Sequence, residues 1–262
     1  MVIKRRESVL VLFFHNLHKK KKYYNKPQEN ITMARIILVG GGSSSGKTFI
    51  TRRVIEQVGE DNITLISIDD YYKDQPEKSF EERVKTNYDH PKAFDWKLIR
   101  SHIKALKEDK PIEKPLYDFV THSRKKETEI VEPKKIVMVE GIMALIDEEL
   151  RKLGDLKVFI RASAERKFLR RLIRDKQYRG RSIDSIVTQY FATVQPMYEE
   201  IIEPSSNYAD LIINNDGKKN LSVDILTFLI MRELDMENGK MQKRGEDLEN
   251  EFSKELLEKV FQ

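Results

Sequence analysis

The chain has 262 residues, 39% of them apolar and 35% charged, which suits a soluble globular protein with a buried core and excludes a wholly disordered one. It has no cysteine, which rules out a disulfide framework, a thiolate metal site, a cysteine nucleophile and an iron–sulfur cluster. The net charge of +5 is uneven: residues 1–33 carry eight basic and two acidic side chains, a net +6, so the rest sums to −1 and lacks the charge of a nucleic-acid-binding body.

Residues 1–32 read as a basic, disordered extension, with Met33 opening the folded domain. Their longest apolar run, 9–14, is far short of the ~20 residues that span a bilayer, and no small-residue cleavage site follows it. Residues 36–39 are aliphatic, largely β-branched, and end in glycines, which predicts a buried strand. The spacing of Ile50, Val54, Ile55 and Val58 predicts a helix over 48–58. A second strand is expected over 63–68, bounded by Asp61-Asn62 and Asp69-Asp70. Residues 73–92, with Pro76 and Pro91, read as polar and irregular. Leu98, Ile99, Ile103 and Leu106 predict a helix over 96–106, and 111–130 carries two short β-like stretches around a polar tip at 122–126.

A third buried strand is expected over 136–139, ending at Glu140-Gly141, with a helix over 142–153 and a fourth strand over 158–160. An arginine-dense helix is predicted over 163–175, and another over 183–202, interrupted near Pro196. A fifth strand over 211–213, a helix over 221–234 and a charged helical tail over 235–262 complete the chain. Strands that alternate with helices imply βαβ units and a parallel sheet covered on both faces. Ligands of such sheets lie beyond the carboxyl ends of the strands, where the segment 40–48, Asp69 and Glu140 all fall.

Gly40, Gly41, Gly42, Ser43, Ser44, Ser45, Gly46, Lys47 and Thr48 connect a strand to a helix, and from Gly41 onward they match G-x-x-x-x-G-K-[ST]. Glycines let backbone N–H groups turn toward an anion, and the helix that follows presents unpaired N–H groups and the positive end of its dipole. Lys47 has the reach for the β and γ phosphates and Thr48 a hydroxyl for Mg²⁺, so a nucleoside triphosphate with Mg²⁺ is expected here. The motif leaves the phosphate acceptor open. Asp69, at the end of the second strand, is a candidate base for an attacking hydroxyl, with Asp70 next; an N-cap or a place in the Mg²⁺ shell is the alternative. Glu140 is a candidate Mg²⁺ ligand, or an acid facing the dipole of a helix over 142–153. Arg166, Arg170, Arg171, Arg174, Arg179 and Arg181 form a cluster whose planar forks match phosphate oxygens, or alternatively RNA or solvent.

Five stretches together resemble the uridine kinase (uridine–cytidine kinase) family of P-loop kinases. They are GGGSSSGKT (40–48), DDYY (69–72), NYDHPKAFD (87–95), YDFVTHSR (117–124), and RRLIRDKQYRGR (170–181) with QY (189–190). The resemblance runs from Met33 to about residue 234. It implies a three-layer α/β/α P-loop fold with a mostly parallel five-stranded sheet, a small β-hairpin substrate-binding insertion, and an arginine-rich helical lid over about 166–190. It implies in-line transfer from ATP or GTP to the 5′-hydroxyl of uridine and cytidine, with Asp69 as base and Lys47 and Arg174 at the transferring phosphoryl. Arg179 would lie on the nucleotide side. Asp89 would accept hydrogen bonds from the 2′- and 3′-hydroxyls, with Tyr72 and Tyr88 as aromatic neighbours of the nucleoside. Tyr117 and His122 would touch the base, Arg171, Arg181 and Gln189 would contact substrate, and Thr48 and Glu140 would hold Mg²⁺. The resemblance further implies a cytoplasmic enzyme of pyrimidine salvage, a homotetramer, and no nucleic-acid or membrane partner. Phosphoribulokinase-like and pantothenate kinase-like activities share the cradle and lid and stand as alternatives.

Overall fold

A computed structural model describes residues 33–217 and 221–237. The extension at 1–32 and the tail from 238 lie outside the described residues, and so do the expectations placed on them. β1 (Arg35–Gly40) leads through the glycine-rich turn into α1 (Lys47–Val58), and β2 (Ile63–Ser67) follows. A tight 3-10 turn at Ile68–Tyr71 precedes the short α2 (Phe80–Val84) and α3 (Trp96–Lys107). The hairpin of β3 (Ile112–Asp118) and β4 (Ser123–Val131) comes before β5 (Ile136–Glu140), α4 (Glu148–Leu153) and β6 (Leu156–Arg161). α5 (Ala164–Arg179), α6 (Ile183–Gln189), β7 (Leu211–Asn214) and α7 (Leu221–Glu237) complete the order.

The expected five-stranded sheet is present, with order β2-β5-β1-β6-β7 and every pairing parallel. Its strands read as unbroken aliphatic runs because both faces are covered. Ile36 and Leu38 pack with Ile99, Ile103 and Leu106 of α3 on one face. Ile37 and Val39 pack with Ile50 and Val54 of α1 and with Val223, Leu226 and Ile230 of α7 on the other. Register then fixes the working edge: Val39 and Ser67 both lie opposite Glu140, and Gly40 lies opposite Phe159. The carboxyl ends of β1, β2 and β5 therefore meet in one place, where such sheets bind ligands. The hairpin is a separate two-stranded sheet, as expected for an insertion.

Several boundaries differ from expectation. Residues 142–146 form a turn rather than the first half of a helix, and α4 begins only after Asp147, whose carboxylate accepts from the Leu150 N–H at 2.8 Å. Met143, Ala144 and Leu145 are wholly buried, so this segment is a core plug with no polar face to present. The stretch 73–92 is not irregular throughout: Ser79 and Glu82 form a reciprocal capping box that starts α2. The hairpin turns at 119–122, ahead of the expected tip, and His122 takes a left-handed φ of 51°. Residues 183–202 stay helical through Pro196, because α6 runs into wide π turns at Tyr190–Val194 and Tyr198–Ile202 on either side of Gln195–Met197. Pro196 stands at the start of that short middle turn, where its missing N–H costs least. α5 continues to Arg179 and stops at Gly180, whose φ of 62° closes it. None of the described helices is long and apolar enough to cross a membrane.

Candidate active site

The turn after β1 wraps around a small space. Gly41 (φ 140°) passes so close to the next strand that a Cβ would lie 2.3 Å from the Ile160 carbonyl oxygen. Gly46 (φ 102°) is equally constrained, since a Cβ would meet the Asn215 amide at 2.2 Å. Asn215 Nδ2 donates to the Ser45 carbonyl at 2.8 Å, and Arg170 bridges the same carbonyl to that of Asn215. The loop is thus braced from β7 and α5, and Ser44 is held with a left-handed φ of 60°. Lys47, the first residue of α1, is buried and donates to the carbonyls of Gly41 and Gly42, each at 2.9 Å. Burial pushes its ammonium below the ordinary lysine range, against the pull of the Glu140 and Asp69 carboxylates.

Glu140 ends β5 beside this turn, buried, and accepts from the Thr48 hydroxyl at 2.9 Å. No helix begins at residue 142, so the helix-dipole alternative for Glu140 falls away. Asp69 lies in the turn after β2, with its Oδ1 buried and unpartnered among the described residues. Burial first, and then the Glu140 carboxylate, push its carboxyl up to about 6, while Lys47 pulls it down. Asp70 is directed elsewhere: Lys114 of β3 donates to it at 2.9 Å. The structure therefore separates the two aspartates that the sequence leaves adjacent. Thr48 and Glu140 supply hard oxygen donors of the type Mg²⁺ takes. Among the described residues no cluster of three His, Cys, Asp or Glu forms a cage, so an ion there would complete its shell with phosphate oxygens and water.

An aromatic wall continues from Asp69. Tyr72 is buried and packs against Tyr88 and Tyr117, both with centroids at 5.1 Å, and Tyr88 stacks on His122 at 5.1 Å with planes 19° apart. Asp89 follows Tyr88. Burial raises its carboxyl above the ordinary range, although Arg171 and Arg174 pull it down. Asp95 caps α3 by accepting from the Leu98 N–H. Arg124 of β4 secures the hairpin to this wall, donating to the Tyr72 and Tyr71 carbonyls and to Asp95. Arg83 of α2 donates to the Thr121 carbonyl at the hairpin tip. Burial and the nearby Arg83, Arg181 and Arg179 lower the His122 pKa, so its ring is neutral at pH 7.

The lid arginines converge on one residue that sequence reasoning does not single out. Asp175 is fully buried and faces Arg171, Arg174, Arg179 and Arg181 at 2.8–3.6 Å. Burial works to raise its carboxyl, but the Arg174 hydrogen bond and the surrounding guanidinium groups hold it below the usual range. Arg171 is also buried; it donates to the Ser43 hydroxyl at 2.9 Å and to Gln189 Oε1 at 3.0 Å. Arg181 donates to that same Gln189 oxygen. Arg179 lies over the Phe119 ring of the hairpin at 5.8 Å and adds its charge near both Asp69 and Asp89. Arg166 instead pairs with Asp216 and takes no part in the cluster. The arrangement can grip a polyphosphate, hold an acid beside its end, and offer an aromatic, partly anionic slot to an acceptor.

Comparison with known proteins gives the chain's relatives. The sequence model of the phosphoribulokinase / uridine kinase family matches residues 36–222. A uridine kinase from Clostridium tetani is 47% identical over 182 residues, covering 70% of this chain and 87% of the relative. A uridine kinase from Deinococcus deserti is 48% identical over 183 residues, covering 70% and 88%. Among solved structures, phosphoribulokinase from Rhodobacter spheroides superposes with a TM-score of 0.54 at 13% identity, covering 70% of each chain. D-glycerate 3-kinase from Cryptococcus neoformans gives 0.53 at 17%, covering 82% of this chain and 96% of its own. At these identities the two structures support the fold.

Proposed function

Because the chain belongs to the phosphoribulokinase / uridine kinase family, we propose that it transfers the γ-phosphoryl group of ATP or GTP to the 5′-hydroxyl of uridine and cytidine. The observation that carries this reading is the junction of Asp69, Glu140 and Lys47 at the cradle, continuous through Tyr72 with Asp89, Tyr88 and His122. The nucleoside lies along the aromatic wall. Asp89 accepts from the two ribose hydroxyls, which favours ribose over deoxyribose. The neutral His122 ring both donates and accepts, so it suits either O4 of uracil or N4 of cytosine. Tyr117 completes the wall on the base side.

The 5′-hydroxyl then faces Asp69. An acid tuned to about 6 is ionised at neutral pH yet remains able to take the proton as the oxygen attacks in line. Lys47 and the Gly41–Thr48 backbone hold the polyphosphate, and Arg174 and Arg179 neutralise charge on the transferring group. Arg171, Arg181 and Gln189 tie the lid to the cradle and close around the acceptor. Thr48 and Glu140 would hold Mg²⁺, which would supply charge neutralisation on the phosphate oxygens. Phosphorylation of a panel of acceptors with radiolabelled ATP tests the proposal. Uridine and cytidine are expected to react, and ribulose 5-phosphate and pantothenate are not; the reverse pattern overturns it.

A further inference from the structure

Lys167, in the first turn of α5, is buried although it carries an ammonium group. Its Nζ rests 2.9 Å from the centre of the Tyr198 ring. Among the described residues it makes no hydrogen bond or ion pair of its own. Both side chains press on the cradle: a Cβ on Gly42 would stand 2.7 Å from the Tyr198 ring and 3.2 Å from Lys167 Cδ. A small cavity joins Lys167 and Tyr198 to Ser43, the hydroxyl that Arg171 holds. The Tyr198 hydroxyl is spent on Glu203, which also accepts from Arg161, so the acid nearest the ring is already paired.

A ring face compensates a buried cation only weakly, less than a carboxylate or phosphate partner would. The lid arginines, in contrast, have Asp175. We propose that Lys167 is a second lysine of the donor site, whose ammonium pairs with the terminal phosphate of the bound triphosphate on the Gly42–Ser43 side of the cradle. This rests on the donor reading given under the proposed function. The free ammonium is poised to respond: burial above all, helped by Lys47 of α1 and Arg161 of β6 and opposed by Glu203 and Glu199, lowers it to about 8. A terminal phosphate arriving in that shell raises it, so binding takes up protons near pH 8, and a diphosphate draws fewer.

Calorimetric titration of the full chain at pH 8, in two buffers of different ionisation enthalpy and without nucleoside, tests this with Mg²⁺-AMP-PNP and Mg²⁺-ADP. The wild type is expected to take up about half a proton more with AMP-PNP than with ADP. Lys167→Met is expected to lose that difference and to bind AMP-PNP about tenfold more weakly, while ADP affinity moves by less than about twofold. Lys167→Arg is expected to restore AMP-PNP affinity without the proton uptake, because a guanidinium does not titrate at pH 8. Equal proton uptake for the two nucleotides in the wild type, or equal weakening of both in Lys167→Met, overturns the assignment. Failure to phosphorylate uridine with the AMP-PNP/ADP contrast intact strikes only the acceptor reading, and a wild type that binds neither nucleotide overturns the donor reading and this assignment together.

Discussion

Asp69 illustrates what a buried carboxylate costs its protein. Its folded-state pKa of about 6 lies above the ordinary aspartate value, so the ionised form is disfavoured in the fold. Above pH 6 this cost is fully present, at most about 3 kcal/mol; it fades between pH 6 and 4, where the folded state keeps a proton that the unfolded chain releases. Asp69→Asn is therefore expected to raise the melting temperature at pH 8 and to leave it unchanged near pH 4. The same variant should lower kcat by at least ~100-fold while AMP-PNP affinity holds within about twofold. Thermal melts at the two pH values and single-turnover kinetics check the two halves separately. The role proposed for Asp89 bears on choice rather than rate: Asp89→Asn is expected to reduce the uridine over 2′-deoxyuridine ratio of kcat/KM by ~10-fold or more, measured by competing the two substrates.

At the level of elements, the lid is a charge assembly organised from within. Four guanidinium groups would repel one another at the end of α5 without the fully buried Asp175 carboxylate between them. Asp175→Asn leaves them uncompensated and is expected to cost about 3–5 kcal/mol in urea unfolding. The loosened lid should also raise KM for both donor and acceptor, whereas a defect confined to one substrate would contradict its central place. The hairpin is held by a comparable device, because Arg124 reaches two carbonyls of the Ile68–Tyr72 region and Asp95 in one fork. Arg124→Met is expected to raise KM for uridine about tenfold and leave AMP-PNP affinity unchanged, since the bonds of Arg124 go to the wall proposed for the acceptor.

For the molecule as a whole, the matched region begins at residue 36 and every element of the site lies after it. Deleting residues 1–32 is accordingly expected to leave uridine phosphorylation within about twofold of the intact chain, and a larger loss in a folded truncate would give the extension a catalytic part. Much of this architecture is local information. The aliphatic runs at 36–39 and 136–139, the glycine-rich turn and the alternation of strands and helices follow from chain stiffness, periodicity and the need to bury both faces of a parallel sheet, so they are legible along the sequence. The capping box at Ser79 and the cap at Asp147 were equally local signals, though the expected boundaries did not use them. What no linear reading could supply is convergence. That Asp70 turns to Lys114 while Asp69 faces Glu140, and that Lys167 is held under Tyr198 against Gly42, depend on side chains far apart in the chain meeting at distances of a few ångströms. Charge and burial act through space, so the protonation state of each group was decided only when the sheet edge, the hairpin and the lid had come together.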